Sequence, residues 1–471
     1  GKEENTNYYT NEATYTRSVA FFFMGTYSYK GIYTLTGTGR YEGTNRLGKS
    51  RSARWLPTWN VAGAWNVHEE KFYSNFTNPV LSHATLKASY SLTADRGPAF
   101  VTNSQAILNS YSPWRPSASV TESGMRITEL ENSELTYEKK HEFNVGIDLG
   151  FLKNRLNLAA DYYRRNNFDL IGVINTQGAG GTIAKYANIA SMKSSGIELT
   201  ISSKNMRTKD FSWNTDFIFS KTKNEITDLK SHANVLSLIS GNGFGREGYP
   251  VRGLFSIPFA GLTEDGLPTF INQDGQKTIS SFNFQEYEKL DFLKYEGPTD
   301  PTITGSFGNI LTYKNLKLNV FVTYSFGNVI RLDPVFSNAY SDLDAMPKEF
   351  KNRWMKAGDE NVTNIPTIVS TRMNQQYAYL NMAYNAYNYS DVRIADGGFI
   401  RLKEISLSYD LPAKVINFFR LNKLQLKLQA TNLCLLYADS KLNGQDPEFF
   451  RSGGVSTPVP KQFTFTVRLG L

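Results

Sequence analysis

The chain reads as all-β, an antiparallel transmembrane β-barrel, and three observations predict it. Residues Tyr137 to Asn166 spell two alternating runs around a Lys153-Asn154-Arg155 turn. In the first arm His141, Phe143, Val145, Ile147, Leu149 and Phe151 share one face, while Glu142, Asn144, Gly146, Asp148 and Gly150 share the other, because strand side chains point alternately to opposite sides. In the second arm Leu156, Leu158, Ala160 and Tyr162 oppose Asn157, Ala159, Asp161 and Tyr163. Each arm is long enough to cross a hydrocarbon core, for which a tilted strand needs ~9–11 residues. The second observation is that connections alternate between short and long along the chain. The third is that Val19 to Met24, the longest clearly apolar run, falls far short of the ~18 residues of a membrane helix.

Bulk composition agrees. A length of 471 residues with no Pro- or Ser-rich linker and no low-complexity tract favours one large repetitive architecture. Aromatics make up 14% but hydrophobic residues only 40%, which excludes a helical membrane protein and leaves a barrel open. The net charge of +8 is spread along the length without a basic block, so nucleic-acid binding is not expected. The single cysteine, Cys434, excludes a disulfide framework. The first residues lack the apolar core of a signal peptide.

In chain order, Tyr15 to Lys30 and Ile32 to Glu42 form a hairpin around Lys30-Gly31. Arg54 to Asn66 and Thr85 to Thr93 supply two more strands, with Trp59, Val61 and Trp65 on one face. A long polar loop over 94–136 leads to the hairpin described above, and a second long loop covers 167–194. Ile197, Leu199 and Ile201 then alternate with polar partners up to a turn at Asn205, and Phe211 to Phe219 continues the pattern. A third long connection, 224–302, precedes strands Thr302 to Thr312 and Leu316 to Ser325 around Lys314-Asn315. After the loop 326–397 come Phe399 to Asp410 and Lys423 to Asn432, flanking a turn with one helical turn at Val415 to Phe419. Gln462 to Leu471 is the last strand.

Short connections fall on one end of the strands and long ones on the other, the asymmetry of outer-membrane barrels with short periplasmic turns and long external loops. The runs number thirteen. Single-chain bacterial barrels have even strand numbers with both termini inside, so the chain is expected to be the C-terminal part of a larger barrel. An open sheet of this kind would expose two long edges and is not expected to insert alone.

No catalytic constellation is present. His68, His83, His141 and His232 lack metal-ligand spacing, and GxSxG, HExxH and P-loop motifs are absent. Asp265-Gly266 and Asp274-Gly275 read as tight turns rather than calcium loops. Ligand contact is assigned to external-loop aromatics, whose rings can stack on sugars while hydroxyls hydrogen-bond: Tyr377, Tyr379, Tyr384, Tyr387 and Tyr389, with Trp114 a further candidate. Interfacial girdle positions are the alternative for these tyrosines.

The hairpin EKKHEFNVGIDLGFLKNRLNLAADYYRRN resembles one near the middle of SusC/RagA-type TonB-dependent transporters. RWLPTWNVAGAWNVHEEKF at 54–72, SSGIELTI at 194–201, FSWNTDFIFSKTKNEI at 211–226, YSDVRIADGGFIRLKEISLSYDLP at 389–412, LKLQATNL at 426–433 and NGQDPEF at 443–449 agree in family order. The resemblance implies a 22-stranded plugged barrel in the outer membrane of a Gram-negative bacterium, of which this chain holds the C-terminal barrel part. It further implies import of a large nutrient, a glycan or peptide, with a SusD-like surface lipoprotein over the loops and TonB as the energy source. The plug and TonB-binding segment would precede Gly1. No cofactor and no enzymatic activity are implied. Such barrels commonly end in an aromatic, and this chain ends in Leu471. A passive outer-membrane diffusion channel, or a soluble β-rich glycan-binding or adhesion module, are the other readings.

Overall fold

A computed structural model describes residues 15–75, 80–98, 101, 106–111, 123–176, 178, 184–335, 348–377, 379–418, 421–450 and 458–470. In chain order the elements begin β1 (Ser18–Tyr29), β2 (Tyr33–Thr44), α1 (Arg51–Arg54), β3 (Trp55–Asn66), α2 (Lys71–Asn75) and β4 (Leu81–Asp95). Next come β5 (Ile107–Tyr111), β6 (Gly124–Glu129), β7 (Glu138–Phe151), β8 (Leu156–Asn175), β9 (Ala184–Arg207) and β10 (Phe211–Leu229). The third connection holds α3 (Val235–Ile239), β11 (Gly253–Ser256), β12 (Phe259–Leu262), β13 (Pro268–Ile271), β14 (Lys277–Thr278) and β15 (Lys294–Pro298). Then follow β16 (Ile303–Tyr313), β17 (Leu316–Phe326), β18 (Val329–Arg331), α4 (Thr371–Gln376), α5 (Leu380–Asn388) and β19 (Ile394–Asp396). The chain continues through β20 (Phe399–Asp410), α6 (Ala413–Phe418), β21 (Lys423–Ala438) and β22 (Gln462–Gly470).

Thirteen strands form one sheet in the order β1-β2-β3-β4-β7-β8-β9-β10-β16-β17-β20-β21-β22. They are the thirteen runs expected from the sequence. Three expectations about the connections need correction. The supposed loop 167–194 is largely strand, since β8 runs to Asn175 and β9 starts at Ala184. Along these stretches the pairing needs only backbone partners, so the apolar alternation that marks a strand fades while the ladder continues. The turn expected at Asn205 lies at 208–210. Asn205 stays in β9 and donates to Thr215 Oγ1 at 2.6 Å, and the turn closes where Thr208 N donates to the Phe211 carbonyl at 2.7 Å. The loops 94–136, 224–302 and 326–397 carry their own small elements, β5–β6, α3 with β11–β15, and β18, α4, α5 and β19.

The chain comprises two compact units, residues 1–64, 88–143 and 165–192, and residues 65–87, 144–164 and 193–471. In the first, the β1–β2 hairpin turns at Lys30 (φ 52°) and Gly31 (φ 70°), with Ile32 N donating to the Tyr29 carbonyl at 3.0 Å. Positive φ at both central residues is the type I′ geometry that matches strand twist. Its register pairs Phe21 with Tyr41, Tyr27 with Leu35 and Tyr29 with Tyr33 on one face, and Thr26 with Thr36 and Ser28 with Thr34 on the other. On the apolar face Trp59, Tyr90, His141 and Phe168 form a column of rings with centroids 5.5–5.7 Å apart.

The second unit shows the two faces most plainly. The register aligns Trp213, Leu311, Leu318, Leu407, Leu428 and Phe465 in one row across six strands. One residue earlier on β10 the row is Ser212, Thr312, Lys317, Ser408, Lys427 and Thr466. A one-residue slip would exchange these rows, so the register is set by the need to sort them. The apolar face is bordered by aromatic rings at both ends: Phe211, Tyr313 and Tyr409 at the short turns, and Phe217, Tyr324, Phe326 and Tyr437 at the long connections, with centroids 6.1–6.3 Å apart in the latter set. On β17 the borders lie at Leu316 and Tyr324, eight residues or roughly 26 Å apart. At the ~35–45° tilt of barrel strands that span is an apolar band roughly 20 Å tall, close to the ~25 Å band between aromatic girdles of outer-membrane barrels. No helix among the described residues is long and apolar enough to cross a membrane.

Candidate functional site: the cap built from the long connections

The largest apolar core belongs to the connections rather than to the wall. Val235, Leu238 and Ile239 of α3, Phe255, Ile257, Leu267, Phe270, Phe282, Leu293, Val335 and Phe350 pack with Leu380, Ala383, Tyr384, Ala386 and Tyr387 of α5. No residue of the thirteen strands belongs to this cluster. Capping starts the helices: Asn234 Oδ1 accepts from Ser237 N at 2.9 Å before α3, and Ser370 Oγ from Met373 N at 3.2 Å before α4.

Arg331 on β18 ties the cap segments together from inside. Its Nε donates to the Ile239 carbonyl (3.1 Å), Nη1 to the Ser390 carbonyl (3.0 Å), and Nη2 to the Phe255 carbonyl (2.6 Å) and Ser256 Oγ (3.0 Å). Its removal from water pushes its pKa down to about 10. Glu296 on β15 lies nearby with Lys294 Nζ 3.5 Å from its Oε1, and burial lifts its carboxyl above the usual range. Arg393 donates to Glu349 Oε1 at 2.7 Å and to the Asp333 carbonyl at 2.6 Å.

The cap separates the five tyrosines expected to meet ligand. Tyr384 and Tyr387 are each 1% exposed, which corrects their assignment: their rings are core, because every third or fourth residue of α5 faces inward. The Tyr384 hydroxyl donates to the Thr367 carbonyl at 2.5 Å, and burial pushes the Tyr387 hydroxyl up to about 12. Tyr377 and Tyr389 are partly buried against the same core. Tyr377 donates to Asp265 Oδ2 at 2.9 Å, a bond that raises its pKa. Tyr379 alone stands clear, 72% exposed, with φ 68° at the residue preceding α5. Trp114 lies outside the described residues.

Both Asp-Gly pairs are tight turns. Gly266 and Gly275 have φ 74°, the Gly266 turn sits against the Trp354 indole, and Asp274 Oδ1 accepts from Lys289 Nζ at 2.7 Å. Among the described residues no three His, Cys, Asp or Glu side chains converge as a metal site. Sequence spacing hid one pair. His68 and His83 have ring centroids 4.2 Å apart, because the connection through α2 folds back on β4. His68 Nδ1 lies 3.0 Å from the Ala84 carbonyl and His83 Nε2 3.2 Å from Thr85 Oγ1, so both rings are held by structure.

Two wide clefts flank polar-face ion pairs. In the first unit a cleft of about 790 Å³ is lined by Phe22, Arg40, Glu42, Trp59, Arg96 and Tyr137. In the second, a cleft of about 1040 Å³ lies beside Arg401, whose Nη2 donates to both carboxylate oxygens of Asp446 at 2.6 Å. That ion pair anchors the NGQDPEF segment to β20.

With this wall and cap in view, the sequence matches the family described as TonB dependent receptor-like, beta-barrel, over residues 2–433. The chain belongs to that family. Among related members, the TonB-dependent receptor SusC of Bacteroides thetaiotaomicron is 26% identical, over 98% of this chain and 44% of its own length. TonB-dependent receptor P3 of Formosa agariphila is 25% identical, over 93% of this chain and 42% of its own. The structure of the RagAB peptide transporter superposes with a TM-score of 0.77 at 23% identity, covering 96% of this chain and 47% of that one, which shows a shared fold. The all-β reading and the SusC/RagA-type resemblance therefore stand. The chain spans less than half the length of these TonB-dependent receptors.

Proposed function

We propose that this chain is the C-terminal barrel part of an outer-membrane importer that takes up a large nutrient, a glycan or peptide, and that its cap captures ligand on the external side. TonB would drive transport through a plug and TonB-binding segment outside this chain, and a SusD-like lipoprotein would close over the cap. The family and the aromatic-bordered apolar band support the membrane setting. The observation that carries the capture role is Tyr379. A tyrosine held at φ 68° with 72% of its surface exposed forgoes both burial and a relaxed backbone. Such an arrangement is retained where the ring has something to meet. Tyr377 and Tyr389, anchored to the core beside it in sequence, would offer their polar edges to the same ligand.

The test is Tyr379→Ala in the full-length protein, with nutrient binding and surface abundance measured together. Capture is expected to fall about tenfold, the worth of one aromatic contact, with abundance unchanged. Unaltered capture across candidate glycans and peptides would refute the assignment.

A further inference from the structure

We propose that the middle of β8 and β9 and the outer half of β10 together carry a binding site for the phosphomonoester of an outer-leaflet lipid. The proposal rests on the membrane reading above. A cleft of about 260 Å³ there is lined by Tyr162, Arg164, Lys193, Ser195, Lys223 and Glu225.

These side chains lie on the apolar face. Lys223 and Glu225 follow Trp213, Phe217 and Phe219 in steps of two along β10, and Lys193 Nζ reaches Glu225 Oε1 at 2.9 Å from β9. Tyr162 and Arg164 continue the face of Leu156, Leu158 and Ala160 on β8. Elsewhere in the second unit that face is hydrocarbon-facing, and a cation at the centre of such a face is strongly disfavoured.

Depth explains why cations are tolerated. Phe219 shares a row with Tyr324 and Tyr437 of the outer aromatic border, and Lys223 lies four residues beyond it, roughly 13 Å along the strand. That is headgroup level. Directly beneath the cations, Tyr162 is 44% and Ile197 50% exposed, so an acyl chain has an apolar floor to lie on. A free anion would leave that floor bare.

Charge selects the headgroup. Glu225 sits between Lys193 and Lys223, with Lys223 Nζ 3.9 Å from its Oε2, and so bridges the two ammonium groups and offsets their mutual repulsion. Arg164 lines the same cleft, where its planar fork suits bidentate contact with phosphate oxygens. Three cations against one carboxylate leave two positive charges, matching a phosphomonoester of about −1.5 to −2.

The experiment compares the full-length protein with its R164Q/K193Q/K223Q variant in detergent, using native mass spectrometry. Each is titrated with diphosphoryl lipid A, with its dephosphorylated form, and with inorganic phosphate. Wild type is expected to retain diphosphoryl lipid A, and the variant to bind it about a hundredfold more weakly, at about fivefold per cation. The dephosphorylated lipid should bind both proteins equally weakly. Equal retention of diphosphoryl lipid A by both proteins overturns the proposal, as does displacement of the lipid by inorganic phosphate at comparable concentration. Heat-modifiable gel migration is read on the same samples. Its absence from wild type would fault the membrane reading itself, whereas its presence alongside equal retention faults only the lipid site.

Discussion

Replacing Arg331 by methionine should loosen the cap while leaving the wall intact. Arg331 is 9% exposed, and its guanidinium makes four hydrogen bonds, three of them to carbonyls of separate cap segments. Hydrogen bonds to a charged group contribute about 1.5–3 kcal/mol each, so a naive sum runs to roughly 6–12 kcal/mol. The sum overstates the effect, because methionine also spares the desolvation that pushes the arginine pKa down to about 10. Removing one partner from a buried charged network typically costs ~3–5 kcal/mol, and we take about 4 kcal/mol here. At 1.4 kcal/mol per decade that is nearly a thousandfold more local opening. Hydrogen exchange should therefore accelerate by that factor in Leu254–Ser256 and Ser390–Arg393, with the β16, β17 and β20 ladder unchanged. Arg331→Lys should lie between, since an ammonium cannot reproduce the fork. Unchanged exchange in the methionine variant, or equal acceleration in the wall, would refute the reasoning.

Two further outcomes follow from the same region. Burial raises the Glu296 carboxyl above its unfolded value, so the folded cap binds this proton more readily than the unfolded chain does. Its contribution to cap stability is full below the ordinary glutamate range and is lost as pH rises through the raised value. Cap hydrogen exchange, corrected for intrinsic rates, should slow on acidification from neutral pH, and Glu296→Gln should flatten that slope; a slope that survives the substitution belongs to another group. Gly266→Ala places a Cβ against the Trp354 indole at φ 74°, where an L side chain is already strained. The two penalties together come to about 2–4 kcal/mol, visible as earlier proteolysis of the cap and altered tryptophan fluorescence.

The wall was legible in the sequence because its physics is local. In a strand with one apolar and one polar face the side-chain period is two, so runs such as Leu424 to Leu428 or Phe463 to Leu469 declare themselves without partners. Sidedness was legible because Lys30-Gly31, Lys153-Asn154 and Lys314-Asn315 are short enough to be nothing but turns. The cap was not legible, since its core is assembled from pieces that are far apart in sequence: Phe255 lies in one long connection, and Phe350 and Tyr387 lie in distant parts of another. The burial of Tyr384 and Tyr387 is hidden for that reason. Helical spacing over a segment as short as α5 is a weak signal against a background rich in tyrosine and asparagine. The left-handed backbone at Tyr379, which singles it out from its neighbours, has no signature in sequence. The cation cluster of Arg164, Lys193 and Lys223 was likewise invisible until register brought three strands side by side.

That the cap's core borrows nothing from the thirteen strands has an evolutionary consequence. Substitutions at Phe255, Tyr384 or their neighbours leave the rows of Trp213 and Leu318 in register, so the cap can be rewritten while the scaffold stays buildable. A lineage carrying this design can diversify its long connections by duplication and divergence without relearning how to fold.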